Sequence, residues 1–226
     1  MLAKKLEALK LIYTAYDDFV KSLDIACKKY CAHCCTANVT LTTLEGYRIV
    51  DGLIAGEQAE VLETIQTASG GKRFQSQMTF NQLAVLCAEG IEPPEEESTA
   101  AWEQCRFLTE NQCLFYELRP FGCRCLVSRK NCGRAGFAEI DDFVLSVNTV
   151  FMQTIEHVDR QGCTGNLMDI LKLMVPEENR RAYAENGLHC SVAGFIANHP
   201  LKVLMIPPEH RMQMEPILAR LRSIRL

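Results

Sequence analysis

Four of the chain's twelve cysteines fall inside nine residues, Cys27-Lys28-Lys29-Tyr30-Cys31-Ala32-His33-Cys34-Cys35. At about 3.6 residues per turn, a helix through this stretch would gather all four sulfurs on one face, roughly 100° wide, with His33 on the opposite side. Four thiols on one face are the donor set of a zinc ion or an iron–sulfur cluster. Cysteine also packs as a small hydrophobe, but leucine or alanine would fill a core stripe without the oxidation risk. A Cys34–Cys35 disulfide would be strained, because adjacent α-carbons lie about 3.8 Å apart and a relaxed bridge spans about 4.4–6.8 Å.

A second stretch, Cys105 to Cys125, brings further sulfur. Two short apolar–aromatic runs, 105–108 and 113–116, flank a polar turn and read as a small hairpin with Cys105 and Cys113 at its outer ends. Arg119-Pro120-Phe121-Gly122 then turns the chain and delivers Cys123. Arg119 and Arg124 have two readings. They offset the negative charge of clustered thiolates and keep them deprotonated, or they form ordinary surface pairs with Glu117 or Glu110. Cys125 and Cys132 lie close enough in sequence to supply a late ligand or to be packing residues.

Cysteines spaced C-x(2–3)-C-x2-C-C, then Leu-Thr-x-x-Glu, then C-x-F-L, C-x-x-Y-E-x-R-P and C-R, resemble the YkgJ-type cysteine-cluster family. The motif falls on Cys27, Cys31, Cys34, Cys35, Cys105, Cys113, Tyr116, Arg119, Pro120, Cys123 and Arg124, within about residues 27–124. The resemblance implies a zinc- or iron-chelating domain. The three-residue gap between Cys27 and Cys31 departs from the commonest form, which has two, and helical phase keeps Cys27 in the set. A related cluster in flagellin lysine N-methylases implies an enzymatic relative.

The elements that must hold these residues read as mainly helical. Leu2, Leu6, Leu9, Tyr13, Tyr16, Val20, Leu23, Cys27 and Tyr30 recur every three or four positions, predicting one amphipathic helix over 2–30. Asn38–Leu41 is extended, and Thr42 with Glu45 forms a capping box opening a helix that Gly56 ends. Helices follow over 57–67 and up to about Ala88, the latter carrying Phe74, Met78 and Leu83, with Cys87 expected in the core. Gly70-Gly71 separates them. Gly90 to Ser98, with paired prolines and an acidic run, reads as a solvated loop. Ile140 to Val158 mark a strong helix stopped near Gly162, and 166–174 and 177–186 two shorter ones with Gly187 as a C-cap. Lys202–Ile206 reads as a strand or a buried segment. A last helix carries Met212, Ile217, Leu218, Leu221 and Ile224, with Arg220, Arg222 and Arg225 at its C-terminal end. Cys163 lacks ligand spacing, and His189-Cys190 reads as a helix-end pair.

Composition bounds the rest. With 24 Lys+Arg against 28 Asp+Glu and no basic patch, nothing points to nucleic acid. The first residues become charged at once, without a signal core, and no apolar run approaches the ~18 residues of a membrane span. Twelve cysteines in 226 residues, about 5%, fall below a disulfide scaffold. The expected compartment is the reducing cytoplasm, where clustered thiols favour metals. The expectation is one compact unit over 1–226, mainly α, with a cysteine-cluster core at 24–135, a helical region at 137–226 and a small β-hairpin bearing part of the site. Cys27, Cys31, Cys34, Cys35, Cys105, Cys113 and Cys123 bind an iron–sulfur cluster or Zn2+. The alternative is an iron–sulfur-dependent enzyme of redox or protein lysine N-methylation type. No P-loop, dinucleotide fingerprint or partnered His/Asp/Glu constellation is present.

Overall fold

In the computed structural model the described residues are 1–68, 71, 73–94, 103–188, 190 and 194–224. Among them the chain is mainly helical, with ten α-helices and five short strands in two antiparallel sheets. Gly70, Glu95–Ser98, His189 and Arg225 lie outside the described residues.

Helix α1 spans Leu2–Lys21 and buries Leu9, Ile12, Tyr13 and Tyr16. It therefore stops nine residues before the expected end at Tyr30. Ser22 closes it: its amide and its Oγ both bond the Phe19 carbonyl, at 3.0 and 2.6 Å. A serine hydroxyl competes in this way with the helical ladder. Beyond it, the Ala26 amide donates to the Ser128 carbonyl at 2.8 Å, a tertiary bond that fixes the chain off the helix axis. The one-face arrangement of four sulfurs on a helix is thereby overturned.

Strand β1 (Thr40–Thr42) leads into α2 (Thr43–Ala55) through the expected capping box, and Gly56 is the C-cap. Glu45 does more than cap. One carboxylate oxygen accepts from the Thr42 amide at 2.9 Å, and the other accepts from Tyr13 Oη and the Phe121 amide, both at 2.7 Å. One buried side chain thus ties α1, α2 and the turn before Cys123 together.

Helices α3 (Ala59–Thr67) and α4 (Phe80–Ala88) follow. Helix α4 opens on a second capping box, Thr79 with Gln82, so Phe74 and Met78 precede it instead of lying in it. Cys87 is exposed, which corrects its expected place in the core. The hairpin forms as β2 (Leu108–Thr109) and β3 (Gln112–Cys113). Glu110 and Asn111 between them take φ of 50° and 61°, the left-handed pair that a two-residue hairpin requires.

Four-residue helices α5 (Phe121–Arg124) and α6 (Cys132–Ala135) precede α7 (Asp142–Val158). Phe121 stacks on Phe151 of α7 at 5.7 Å, and Tyr16 of α1 meets both rings edge-on at 4.7 and 5.1 Å. Asn148 of α7 joins the same helices, accepting from Tyr16 Oη at 2.7 Å and donating to the Cys125 carbonyl at 3.0 Å. Gly122 lets α5 approach β1, because a β-carbon there would lie 2.8 Å from the Thr40 carbonyl oxygen.

Strand β4 (Cys163–Asn166) lies between β1 and β5 (Phe195–Ala197) in a three-stranded antiparallel sheet, with Leu41 opposite Gly165 and Thr164 opposite Ile196. This sheet was not expected. Cys163 is bonded to Cys190, Cα–Cα 5.9 Å, a pairing that the sequence reading did not assign. Helices α8 (Leu167–Met174) and α9 (Glu177–Ala184) match expectation. Asn186, not Gly187, takes the left-handed conformation after α9. Residues 203–205 run irregularly but bond as a strand would to the Gln153 side chain, which donates to the Val203 carbonyl at 2.8 Å and accepts from the Met205 amide at 3.0 Å. Helix α10 (Arg211–Arg222) buries Met214, Leu218 and Leu221, carries Pro216 inside it, and leaves Met212 92% exposed. No helix among the described residues is long and apolar enough to cross a membrane.

Candidate functional site

The stretch Cys27–Cys35 is built from two tight turns. The Cys31 amide bonds the Lys28 carbonyl and the Cys35 amide bonds the Ala32 carbonyl, both at 3.0 Å. Tyr30 holds φ of 73° in the first turn, a conformation that costs a non-glycine residue about 1–2 kcal/mol. Each end of the stretch is tied to a different part of the chain. At the start, Cys27 Sγ accepts from the Ser128 amide at 3.2 Å, beside the Ala26–Ser128 bond. At the end, residues 35–37 run antiparallel to 103–105, with Cys105 N to Cys35 O and Ala37 N to Glu103 O both at 2.9 Å.

These ties bring together what the sequence reading singled out. Cys27, Cys31, Cys34, Cys35, Cys105, Cys113 and Cys123 all line one cavity of about 510 Å³, and all seven are half-buried. They come from the double turn, the lead into the hairpin, the hairpin itself and α5. Cys27 thus joins the others without the helix that first argued for it. Among the described residues no three Cys, His, Asp or Glu side chains are gathered tightly enough to grip a metal ion as they stand.

Burial raises Cys27, Cys105, Cys113 and Cys123 above the usual thiol range, so these groups stand as neutral thiols. Backbone donors oppose that rise: the Ser128 amide at Cys27, the Phe107 amide at Cys105 and the Phe115 amide at Cys113. An N–H aimed at sulfur favours the thiolate, the form that binds metal. The hydrogen bond between the adjacent thiols raises Cys34 and lowers Cys35.

Lys28, Lys29, Arg119 and Arg124 line the same cavity. Arg119 stacks at 3.5 Å on the Tyr116 ring, its Nε donating to the Tyr116 carbonyl at 2.9 Å, and its charge opposes the rise at Cys34, Cys113 and Cys123 without cancelling it. The alternative partners Glu117 and Glu110 do not take it up in a salt bridge. Arg124 bonds the carbonyls of Arg119 and Glu117, both at 3.0 Å, lies 4.6 Å from the Tyr13 ring and pairs with Asp17 at 3.3 Å. Of the remaining cysteines, Cys125 is buried and lines a separate cavity with Glu45 and Met152, while Cys132 begins α6 behind the double turn.

Sequence reasoning missed Ser128, because its service to Cys27 crosses 101 residues and uses only a backbone amide. It also assigned no role to Lys28 and Lys29, for which the only signal was their place between ligand candidates. Comparison with known proteins finds no matching family model, no matching curated protein and no matching solved structure.

Proposed function

We propose that the protein binds a zinc ion or an iron–sulfur cluster through thiolates drawn from Cys27, Cys31, Cys34, Cys35, Cys105, Cys113 and Cys123, in keeping with the resemblance to YkgJ-type proteins. One observation carries the reading: seven cysteines from separated stretches line a single cavity, beside four cationic side chains. Packing alone has no need of sulfur at seven places around one void. Amide donors to three of the sulfurs and the guanidinium of Arg119 are the surroundings a thiolate site uses to stay deprotonated. The group, when bound, supplies either tetrahedral structural ligation or a redox centre. The chain's residues supply the thiolates, the N–H donors and the balancing charge. Because burial favours the neutral thiol at Cys27, Cys105, Cys113 and Cys123, binding through them would release protons. The reading calls for a compartment that keeps the seven cavity thiols reduced, such as the cytoplasm, where a bridge like Cys163–Cys190 is unusual.

A second reading, a thiolate-centred enzyme of redox or lysine N-methylation type, draws on the size of the cavity. Its wall includes Tyr16, Tyr116 and Lys29 as well as sulfur, which leaves room for a substrate beside a centre.

Serine replacements test the binding reading. Cys31→Ser, Cys34→Ser and Cys123→Ser each lower the metal content of anaerobically prepared protein at least severalfold. Cys87→Ala leaves it unchanged. Equal metal content in both groups contradicts the assignment.

A further inference from the structure

We infer that the cavity region holds two four-sulfur centres, one on Cys27, Cys31, Cys34 and Cys132, the other on Cys35, Cys105, Cys113 and Cys123. The inference rests on the metal-binding reading above and adds the division of the ligands, their number and the assignment of Cys132.

The backbone ties make the division. The start of the Cys27–Cys35 stretch is bonded to Ser128, in the segment that leads to Cys132. Its end is bonded to residues 103–105, in the segment that leads to Cys113 and Cys123. Gly133, next to Cys132, lies so close to the His33 imidazole that a β-carbon there would collide with the ring, which seats α6 directly against the second turn. The two halves of the stretch adjoin at the neighbouring residues Cys34 and Cys35.

Stoichiometry completes the argument. A tetrahedral zinc and a four-cysteine cluster each take four thiolates. Seven sulfurs leave one set a ligand short, and Cys132 is the free thiol beside that set.

Cobalt(II) titrated anaerobically into the reduced, metal-free full-length protein is the probe, read by sulfur-to-cobalt charge-transfer absorption. Wild-type absorption rises to a break at about two equivalents. Cys132→Ser and Cys123→Ser each move the break to about one, and His33→Gln leaves it at two. A wild-type break at one equivalent, or Cys132→Ser still breaking at two, overturns the inference while leaving metal binding intact. A break moved to one by His33→Gln but not by Cys132→Ser assigns the eighth ligand to His33 and overturns the assignment of Cys132. Absence of charge transfer in every sample contradicts the underlying reading itself. Alkylation of cobalt-loaded wild-type protein gives the same answer without relying on a variant's folding: Cys132 is protected and Cys87 labelled. Labelling of Cys132 to the extent of Cys87 overturns the inference.

Discussion

Two regions meet at Phe121. On one side is the frame around the start of α2, where Glu45 and Asp159 are buried at 3% and 0% exposure. Asp159 accepts from Thr43 Oγ1 and Tyr183 Oη at 2.6 Å and from the Leu44 amide at 2.9 Å, and Glu45 is as fully engaged. On the other side is the cysteine cavity, built of two turns, a two-residue hairpin and a four-residue helix. Among the described residues no buried side-chain nitrogen or oxygen lacks a hydrogen-bond partner. Sulfur is a weak donor and acceptor, so the half-buried thiols around the cavity hold only weak hydrogen bonds. The frame is complete from its own residues. The cavity rests on weaker sulfur bonds, a difference that the metal proposed above would remove.

The largest expected effect comes from breaking the frame at the atom that serves both regions. Glu45→Ala strips acceptors from Tyr13, Thr42 and Phe121 and is expected to cost about 3–5 kcal/mol, as removal of a buried, fully bonded charge does. Urea unfolding measures it. The same variant loses metal content, since the Phe121 amide that seats α5 and Cys123 has lost its acceptor. Retention of full stability would mean that the frame does not depend on this carboxylate.

A smaller effect sharpens the frame's side of the comparison. Burial raises Asp159 from 3.8 to about 6, against the pull of its hydrogen bonds. The folded state therefore holds this proton more tightly than the unfolded chain. Its contribution to stability is fully present below about 4 and is lost as pH rises through about 6, an amount on the order of 3 kcal/mol. In metal-free protein, Asp159→Asn should flatten the fall in urea midpoint between pH 4 and 7. An unchanged slope would show that Asp159 does not titrate differently on folding.

The cavity side responds to chelation. Stripping metal from loaded protein should lower hydrogen-exchange protection at residues 27–36 and 103–125 by roughly ten- to a hundredfold, about 1.4–2.7 kcal/mol, while α7 keeps its protection. Uniform protection in both samples would deny the site a structural role, and loss of protection in α7 would mean that the frame leans on the metal.

The same contrast explains how much was legible beforehand. Local rules read the frame's edges well. Thr42 and Glu45 are three residues apart, and a capping box needs nothing else. The hairpin announced itself through a polar pair between apolar runs, and the amphipathic stripes of α1, α7 and α8 place the core. Long-range bonds were illegible. The period that runs on through Leu23, Cys27 and Tyr30 gave no sign that Ser22 would close α1 or that Ser128 would capture Ala26 and Cys27 from a hundred residues away. The three-stranded sheet was missed because Cys163-Thr164-Gly165-Asn166 has no alternation to read. Asp159 is bound to Thr43 across 116 residues, and no local pattern signals such a pair. The seven cysteines line one cavity, although the helical argument for their convergence fails. Their count and spacing carried the information, not their presumed phase.

The central claim is that the cavity exists to hold metal. Elemental analysis with a visible absorption spectrum on protein purified without oxygen tests it most directly. The account predicts zinc or iron in at least stoichiometric amount, either colourless with zinc or brown and bleached by air with iron. Protein prepared in this way that carries neither metal contradicts it.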